Sequence, residues 1–234
     1  MQQQTVTIPG SLAPVADIIN SALSPGKLGA VVARAGVGKT SFLVQSALYA
    51  MMTGKNVLHI NLSDSVKKTA LWYSEVFNLM KTHDEDKAGG MSLSPLLSRR
   101  LIMTMKATGF SIDGVRERLM DFVEQNVFSP QLIVLDGFSV DASRRETVVA
   151  LRELSRELSM SAWLSVPSHR EEERDDRQRP AGFVAVADLF DVGWELLPEN
   201  KKIRVRTLPT GEGSVSDPGL FLNPSTLLLD VEQA

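Results

Sequence analysis

Short apolar runs of strand length alternate along the chain with longer segments whose apolar residues recur every three or four positions. That is the pattern of a mostly parallel central sheet flanked by helices, an α/β fold. KLGAVVA (27–33) reads as a buried strand. The helix predicted over Thr40 to Thr53 carries Leu43, Ala47, Ala50 and Met51 on one side, and Gly54 stands where a C-terminal cap glycine belongs. NVLHINL (56–62) is the next strand, and the helix after it carries Val66, Ala70, Tyr73, Phe77 and Met80. HDEDKAGG (83–90) breaks that helix as a surface loop. The short strand RLIMTM (100–105) precedes a helix bearing Ile112, Val115, Leu119, Phe122 and Val123, and the strand QLIVLD (131–136) follows. Ser143 and Glu146 form a capping box for a helix whose inward stripe is Leu151, Leu154 and Leu158. SAWLSV (161–166) is a further strand. After the charged run HREEERDDRQRP (169–180), LFDVGWELL (189–197) and KKIRVRTL (201–208) read as a C-terminal hairpin joined through PENK (198–201). No repeat or linker divides the chain, so one domain over 1–234 is expected, with its core over about 27–211.

Composition narrows the classes of function more than it changes the fold. With 43% hydrophobic and 23% charged residues the chain has the means to form a packed core. It contains no cysteine, which excludes disulfides and thiolate metal sites. The start MQQQTVTIPG lacks the basic and apolar segments of a signal peptide, and no apolar run approaches the ~18 residues of a membrane helix, so a cytoplasmic location without membrane contact is expected. A net charge of −3 provides no global attraction to nucleic acid.

The candidate chemistry begins at ARAGVGKT (33–40), between a predicted strand and a predicted helix. The phosphate-loop pattern is G-x-x-x-x-G-K-[ST], and here Ala33 takes the place of the first glycine. Such a loop curls so that successive backbone N–H groups face an anion, which requires Gly36 and Gly38 where side chains would block the approach. The first position lies at the strand end, where alanine is tolerated if its φ stays negative. The expected nucleotide contacts are Ala35, Gly36, Val37, Gly38, Lys39, Thr40 and Ser41, with Lys39 as a point charge on the β and γ phosphates of ATP or ADP and the Thr40 hydroxyl on Mg2+. The second element is Asp136, ending LIVLD, at the separation expected for the strand neighbouring the loop; it would hold the magnesium through water.

ARAGVGKTSFLVQSALYAMMTGKNVLHINL (33–62) resembles the motor domain of DnaB-type replicative helicases within the RecA-like ATPases, which also open this loop with Ala-Arg. SHREEERDDRQRP and ADLFDVGWELL resemble the segment after the sensor strand of that family, and RVRTLPTG (204–211) resembles its Lys-x-Arg-x-Gly-Pro-Thr-Gly stretch. KaiC and RadA proteins share that fold and are alternative relatives. The resemblance spans about Lys27 to Gly211 and implies a RecA-like ATPase core that assembles into a ring or filament. It also implies that Arg204 and Arg206 reach the γ-phosphate of a neighbouring subunit. The helicases' N-terminal helical domain has no counterpart in this sequence. On residue pattern alone, Arg204 and Arg206 share one strand face, opposite Ile203 and Val205, which suits either an interface or a solvated surface.

Departures from the family bear on hydrolysis. The glutamate that would orient the attacking water is replaced by Ser63, with Asp64 beside it. Side chains alternate in a strand, so Asp64 points away from the nucleotide unless a bulge or turn redirects it; it reads either as a helix cap or as a catalytic base. In the sensor strand Val166 follows Ser165 where a polar residue is expected, with Ser168 and His169 as substitutes. His59 reads as a packed strand histidine, and His83 lies in an acidic loop with no second ligand at metal spacing. The segment Arg170 to Arg179 has four arginines and five acids and is expected to be a mobile, solvated loop. Arg144 and Arg145 open a helix, solvated. Two functions are compatible with these features. One is a magnesium-dependent ATP-binding regulator or assembly factor with slow or absent turnover. The other is an ATP-driven nucleic-acid motor of helicase or recombinase type.

Overall fold

Strand β1 (Leu28–Ala33) is buried along its whole length because both faces of the sheet around it are covered. Leu28, Ala30 and Val32 project into one core and Val31 and Ala33 into the other, so the position demands an unbroken apolar run instead of an alternating one. The structure is a computed structural model that describes residues 8–83, 92–139, 144–170, 172–210 and 216–232. The strands β2 (Val57–Asn61), β3 (Arg100–Thr104), β4 (Leu132–Asp136), β5 (Ser161–Pro167) and β6 (Val192–Glu199) run parallel with β1. β7 (Lys202–Leu208), β8 (Leu220–Leu222) and β9 (Leu229–Val231) continue the sheet antiparallel. The nine strands stand in the order β3-β2-β4-β5-β1-β6-β7-β8-β9. The α/β class and the mostly parallel sheet are as the pattern predicts. The strand carrying Asp136 is not the neighbour of β1, however; β5 lies between them.

Seven helices are described: α1 (Ala13–Ala22), α2 (Lys39–Met52), α3 (Val66–His83), α4 (Ser94–Leu97), α5 (Ile112–Glu124), α6 (Arg145–Glu157) and α7 (Ala181–Val184). Helical spacing predicts a single inward stripe on α2, but every residue from Ser41 to Met52 is buried. The sheet takes one side of α2, and α1, α3 and the chain after β8 close over the rest, so no solvent face is left. Gly54 ends the helix as expected, at φ 90° with its N–H on the Met51 carbonyl. α5 and α6 cover the opposite face of the sheet through Ile112, Val115, Leu119, Val148, Leu151 and Leu154. On α3 the inward residues are Tyr73, Val76, Phe77 and Met80, whereas Val66 is 49% exposed in the first turn.

Outside the span 27–211, α1 contributes Val15, Ala16 and Ile19, and β8 and β9 contribute Leu220, Leu222 and Leu229, to the same core as α2. The hairpin β6–β7 forms where the sequence places it, turning at Asn200 with φ 53°. Ser143, the loop 84–90 and Gly211 lie outside the described residues; the residue capping α6 is Arg144, with no side-chain cap bond. No helix among the described residues is long and apolar enough to cross a membrane.

Trp163 of β5 and Trp194 of β6 both pack on Phe42 of α2, with centroids 5.3 and 5.8 Å away. Between those strands, at Gly29 of β1, a Cβ would stand 2.5 Å from the Trp163 ring. Gly29→Ala is therefore expected to destabilise the fold by about 1–3 kcal/mol, the cost of overpacking a filled core, measured by urea unfolding. A variant as stable as the parent would show that the Trp163 ring has another place to lie.

Candidate functional site

Strand parity gathers the candidate side chains on one face. In β4, Leu132 and Val134 point toward α2, so Asp136 does as well; in β5, Trp163 brings Ser165 to that face, and in β2, Val57 brings Asn61. These positions are the carboxyl ends of parallel strands, beside the point where the chain crosses from β5 over β1 to β6. In open α/β sheets ligands bind in such crevices.

The 34–38 loop leaves β1 there and enters α2. Gly36 and Gly38 have φ of 78° and 120°, values that a side chain would strain. A Cβ on Gly38 would also approach Leu222 Cδ2 at 3.0 Å. Ala33 is an extended residue of β1 and is not among the positive-φ positions, so its methyl group is accommodated. The N–H groups of Gly36, Gly38, Lys39, Thr40 and Ser41 have no acceptor among the described residues; Phe42 N–H is the first in α2 to find one, on Gly38. Lys39 folds back over the loop, its Nζ donating to the carbonyls of Ala33 (2.7 Å) and Arg34 (3.0 Å). Burial holds its ammonium below the ordinary lysine pKa, and the carboxylate of Asp136 works against that.

Thr40 Oγ1 donates to Asp136 Oδ2 at 2.8 Å, joining the loop to β4 across the intervening strand. Asp136 is 5% exposed. Its Oδ1 accepts from Gly137 N–H at 2.9 Å, and the same N–H reaches Ser165 Oγ at 3.0 Å. Gly137 has φ 78°, and a Cβ there would lie 2.8 Å from Ser63 Oγ, so the Ser63 turn rests directly on the residue after Asp136. That turn is held by Asn61, whose Oδ1 accepts from Ser63 N–H (2.9 Å), Ser63 Oγ (3.2 Å) and Asp64 N–H (2.7 Å). Asp64 itself faces Lys68 at 2.8 Å. The cap of α3 is Ser65, whose Oγ accepts from Lys68 N–H, and not Asp64.

Val166 is a core residue, Ser168 is buried, and His169 is exposed with its backbone N–H on Glu172. His59 is packed, with Nδ1 2.9 Å from the Tyr73 hydroxyl; burial lowers its pKa to about 4, so it is neutral near pH 7.

The described residues of the 170–179 segment are mostly exposed, as expected of a solvated loop, but ion pairs also tie them down. Arg174 donates to both oxygens of Glu195 (2.6 and 3.1 Å), Arg179 Nε to Asp175 (2.8 Å), and Arg174 bridges to Pro180 through the backbone. Glu195 is 1% exposed and stands opposite Arg206 in the β6–β7 register, where Arg206 Nη2 meets it at 2.6 Å. A buried carboxylate requires such compensation, and it draws the charged run onto the sheet. Arg204 faces Glu199, Asp217 and Glu232 at 3.4–3.9 Å. Both arginines thus have partners within the chain.

A search of protein-family models and of curated proteins returned no match to this chain. Asn61, Gly137 and Glu195 belong to the site and its surroundings although the motifs do not include them. The signal that marks them is a polar or glycine residue interrupting or ending an otherwise apolar strand, as in VLHIN, LIVLDG and GWELL.

Glu195→Gln leaves two guanidinium groups facing each other without a counter-charge. A loss of about 3 kcal/mol in unfolding free energy is expected, the low end for removing one partner of a buried ion pair, because each arginine keeps 32% of its side-chain surface in water. A change below about 0.5 kcal/mol, the usual size for surface sites, would mean that water already balances the arginines.

Proposed function

We propose that this protein binds ATP and ADP with magnesium through a RecA-like phosphate loop at 33–40. We propose further that it turns ATP over slowly and acts as a nucleotide-dependent regulator or assembly factor that self-associates, as a ring or filament, when occupied. The observation that carries the reading is the 2.8 Å contact between Thr40 and Asp136 next to a run of unpartnered backbone N–H groups. A loop of free N–H donors at a helix N-terminus suits phosphate oxygens, and Lys39 is close enough to exchange its two carbonyl acceptors for a phosphate.

Thr40 and Asp136 supply hard oxygen ligands, which fit magnesium; that ion commonly takes only one or two protein oxygens and completes its shell with phosphate and water. Magnesium would neutralise charge on the β and γ phosphates when bound. The proposal of slow turnover rests on the Ser63 turn. Ser63 and the amide of Asn61 occupy the turn packed on Gly137, next to Asp136, and the nearby carboxylate, Asp64, is paired with Lys68. A hydroxyl and an amide are poor general bases near neutral pH. Arg206 could reach a neighbouring subunit's nucleotide only by giving up its bond to Glu195, which would tie self-association to a rearrangement of the 174–206 network.

Titration calorimetry tests the binding reading. Lys39→Ala is expected to weaken ATP and ADP by about 10- to 100-fold, the equivalent of one charge-assisted hydrogen bond, and equal affinity in parent and variant would remove the loop assignment. Steady-state phosphate release tests the second part. The parent should run well below the ~1–100 s⁻¹ of efficient phosphoryl-transfer enzymes, and Ser63→Glu should raise its rate. Brisk parental turnover abolished by Asp64→Asn would instead make Asp64 the base, and stimulation by single-stranded DNA would favour a motor.

A further inference from the structure

The cleft beside the loop has a second wall that belongs to no motif. Trp72 of α3 and Leu227, in the turn between β8 and β9, line it together with Gly36, Gly38 and Ser41, and Leu227 Cδ2 lies 3.6 Å from where a Cβ on Gly38 would stand. Leu227 has φ 55°, in the left-handed region that a bulky residue rarely occupies. It is held there at several points. Its N–H donates to Asn223 O at 2.7 Å, and its carbonyl accepts from Ser41 Oγ at 2.8 Å and Gln45 Nε2 at 2.9 Å. Gln45 Oε1 in turn accepts from Leu229 N–H at 2.7 Å. A strained backbone fixed by this many bonds, at the rim of a cleft, is the kind of outlier that marks a working position.

Trp72 differs from the other two tryptophans. Trp163 and Trp194 pack against each other and Phe42, whereas the half-buried ring of Trp72 meets no other aromatic ring among the described residues. An indole and a branched aliphatic chain therefore share one cleft with the row of N–H groups that lack acceptors among the described residues. Ser41 lies where the loop gives way to this apolar wall, so a ligand whose phosphates occupy the loop would carry its remaining, non-phosphate part toward Trp72 and Leu227.

We infer that Trp72 and the C-terminal turn at Leu227 form the base-binding wall of the site, taking the flat heteroaromatic base of a nucleotide and favouring two-ring purines over pyrimidines. The inference rests on the phosphate-loop reading proposed above. Purines are preferred because the larger ring system covers more of the indole and of the leucine side chain. The last strands of the chain thereby become part of the site, although their sequence carries no nucleotide motif.

The test uses the full chain, with magnesium, titrated with ATP, CTP and inorganic tripolyphosphate. The parent is expected to bind ATP about tenfold or more tighter than tripolyphosphate, the gain one stacked base supplies, and tighter than CTP. Trp72→Ala and Leu227→Gly should each bring ATP toward the tripolyphosphate value while leaving tripolyphosphate itself unchanged. Glycine adopts φ 55° without strain, so the Leu227→Gly backbone keeps its acceptor for Ser41 and Gln45, and thermal unfolding checks that both variants fold. Equal affinity of the parent for ATP and tripolyphosphate, or ATP affinity untouched in both folded variants, overturns the inference and leaves the phosphate loop standing. Failure of the parent to bind either ligand, or binding indifferent to Lys39→Ala, overturns the phosphate loop and the base wall together.

Discussion

The burial of α2 on every side from Ser41 to Met52 is the constraint from which the rest of the site follows. A helix with no solvent face cannot shift or rotate without opening a core, so its N-terminus is fixed relative to the strand ends around it. Its first N–H groups are left without partners at a place where the sheet ends, and the glycines before it take the positive φ values that the sharp entry requires. Thr40 reaches Asp136 because both belong to rigid elements pressed together by Phe42, Trp163 and Trp194. Packing is therefore what sets the polar geometry.

The sheet's parity decides which polar residues can take part. Asn61 and Asp136 end two parallel strands on the α2 face and Ser165 lies near the end of a third, and the bonds at Gly137 and the Ser63 turn knit them together. Glu195 and Arg206 follow the same rule on the opposite face, where the antiparallel register sets them directly across from each other. An ion pair so placed ties the charged, largely exposed 170–179 run to the sheet through Arg174.

Much of this was legible in the residues. The parallel strands are unbroken apolar runs, Gly54 marks the end of α2, and Gly36, Gly38 and Lys39 stand in a spacing with few other uses. What escaped was everything that depends on partners distant in sequence. The all-round burial of α2 arises from α1, from α3 and from the turn between β8 and β9, two strands of three residues each, too short to show a period. Local alternation aims Asp64 away from the site or makes it a cap, but the strand stops at Asn61, whose amide captures the next turn and leaves capping to Ser65. Glu195 is a single acid in an apolar strand, and only the register of β7 reveals its partner.

The position of β1 has a further consequence for the order in which the molecule can be assembled. It is the strand that carries the glycine loop, yet Leu28 lies beside Ala162 and Gly29 beside Val192. During synthesis from the N-terminus the loop sequence emerges while both neighbours of its strand are still unmade. Non-local pairing of this kind must first overcome the entropy of closing long loops and tends to slow folding. Until β5 has been made LGAVVA is an apolar segment without a neighbour in the sheet, and only β6 covers its second edge. The glycines, Lys39 and Thr40 are thus made before the strands that flank β1, and their geometry is among the later features to appear.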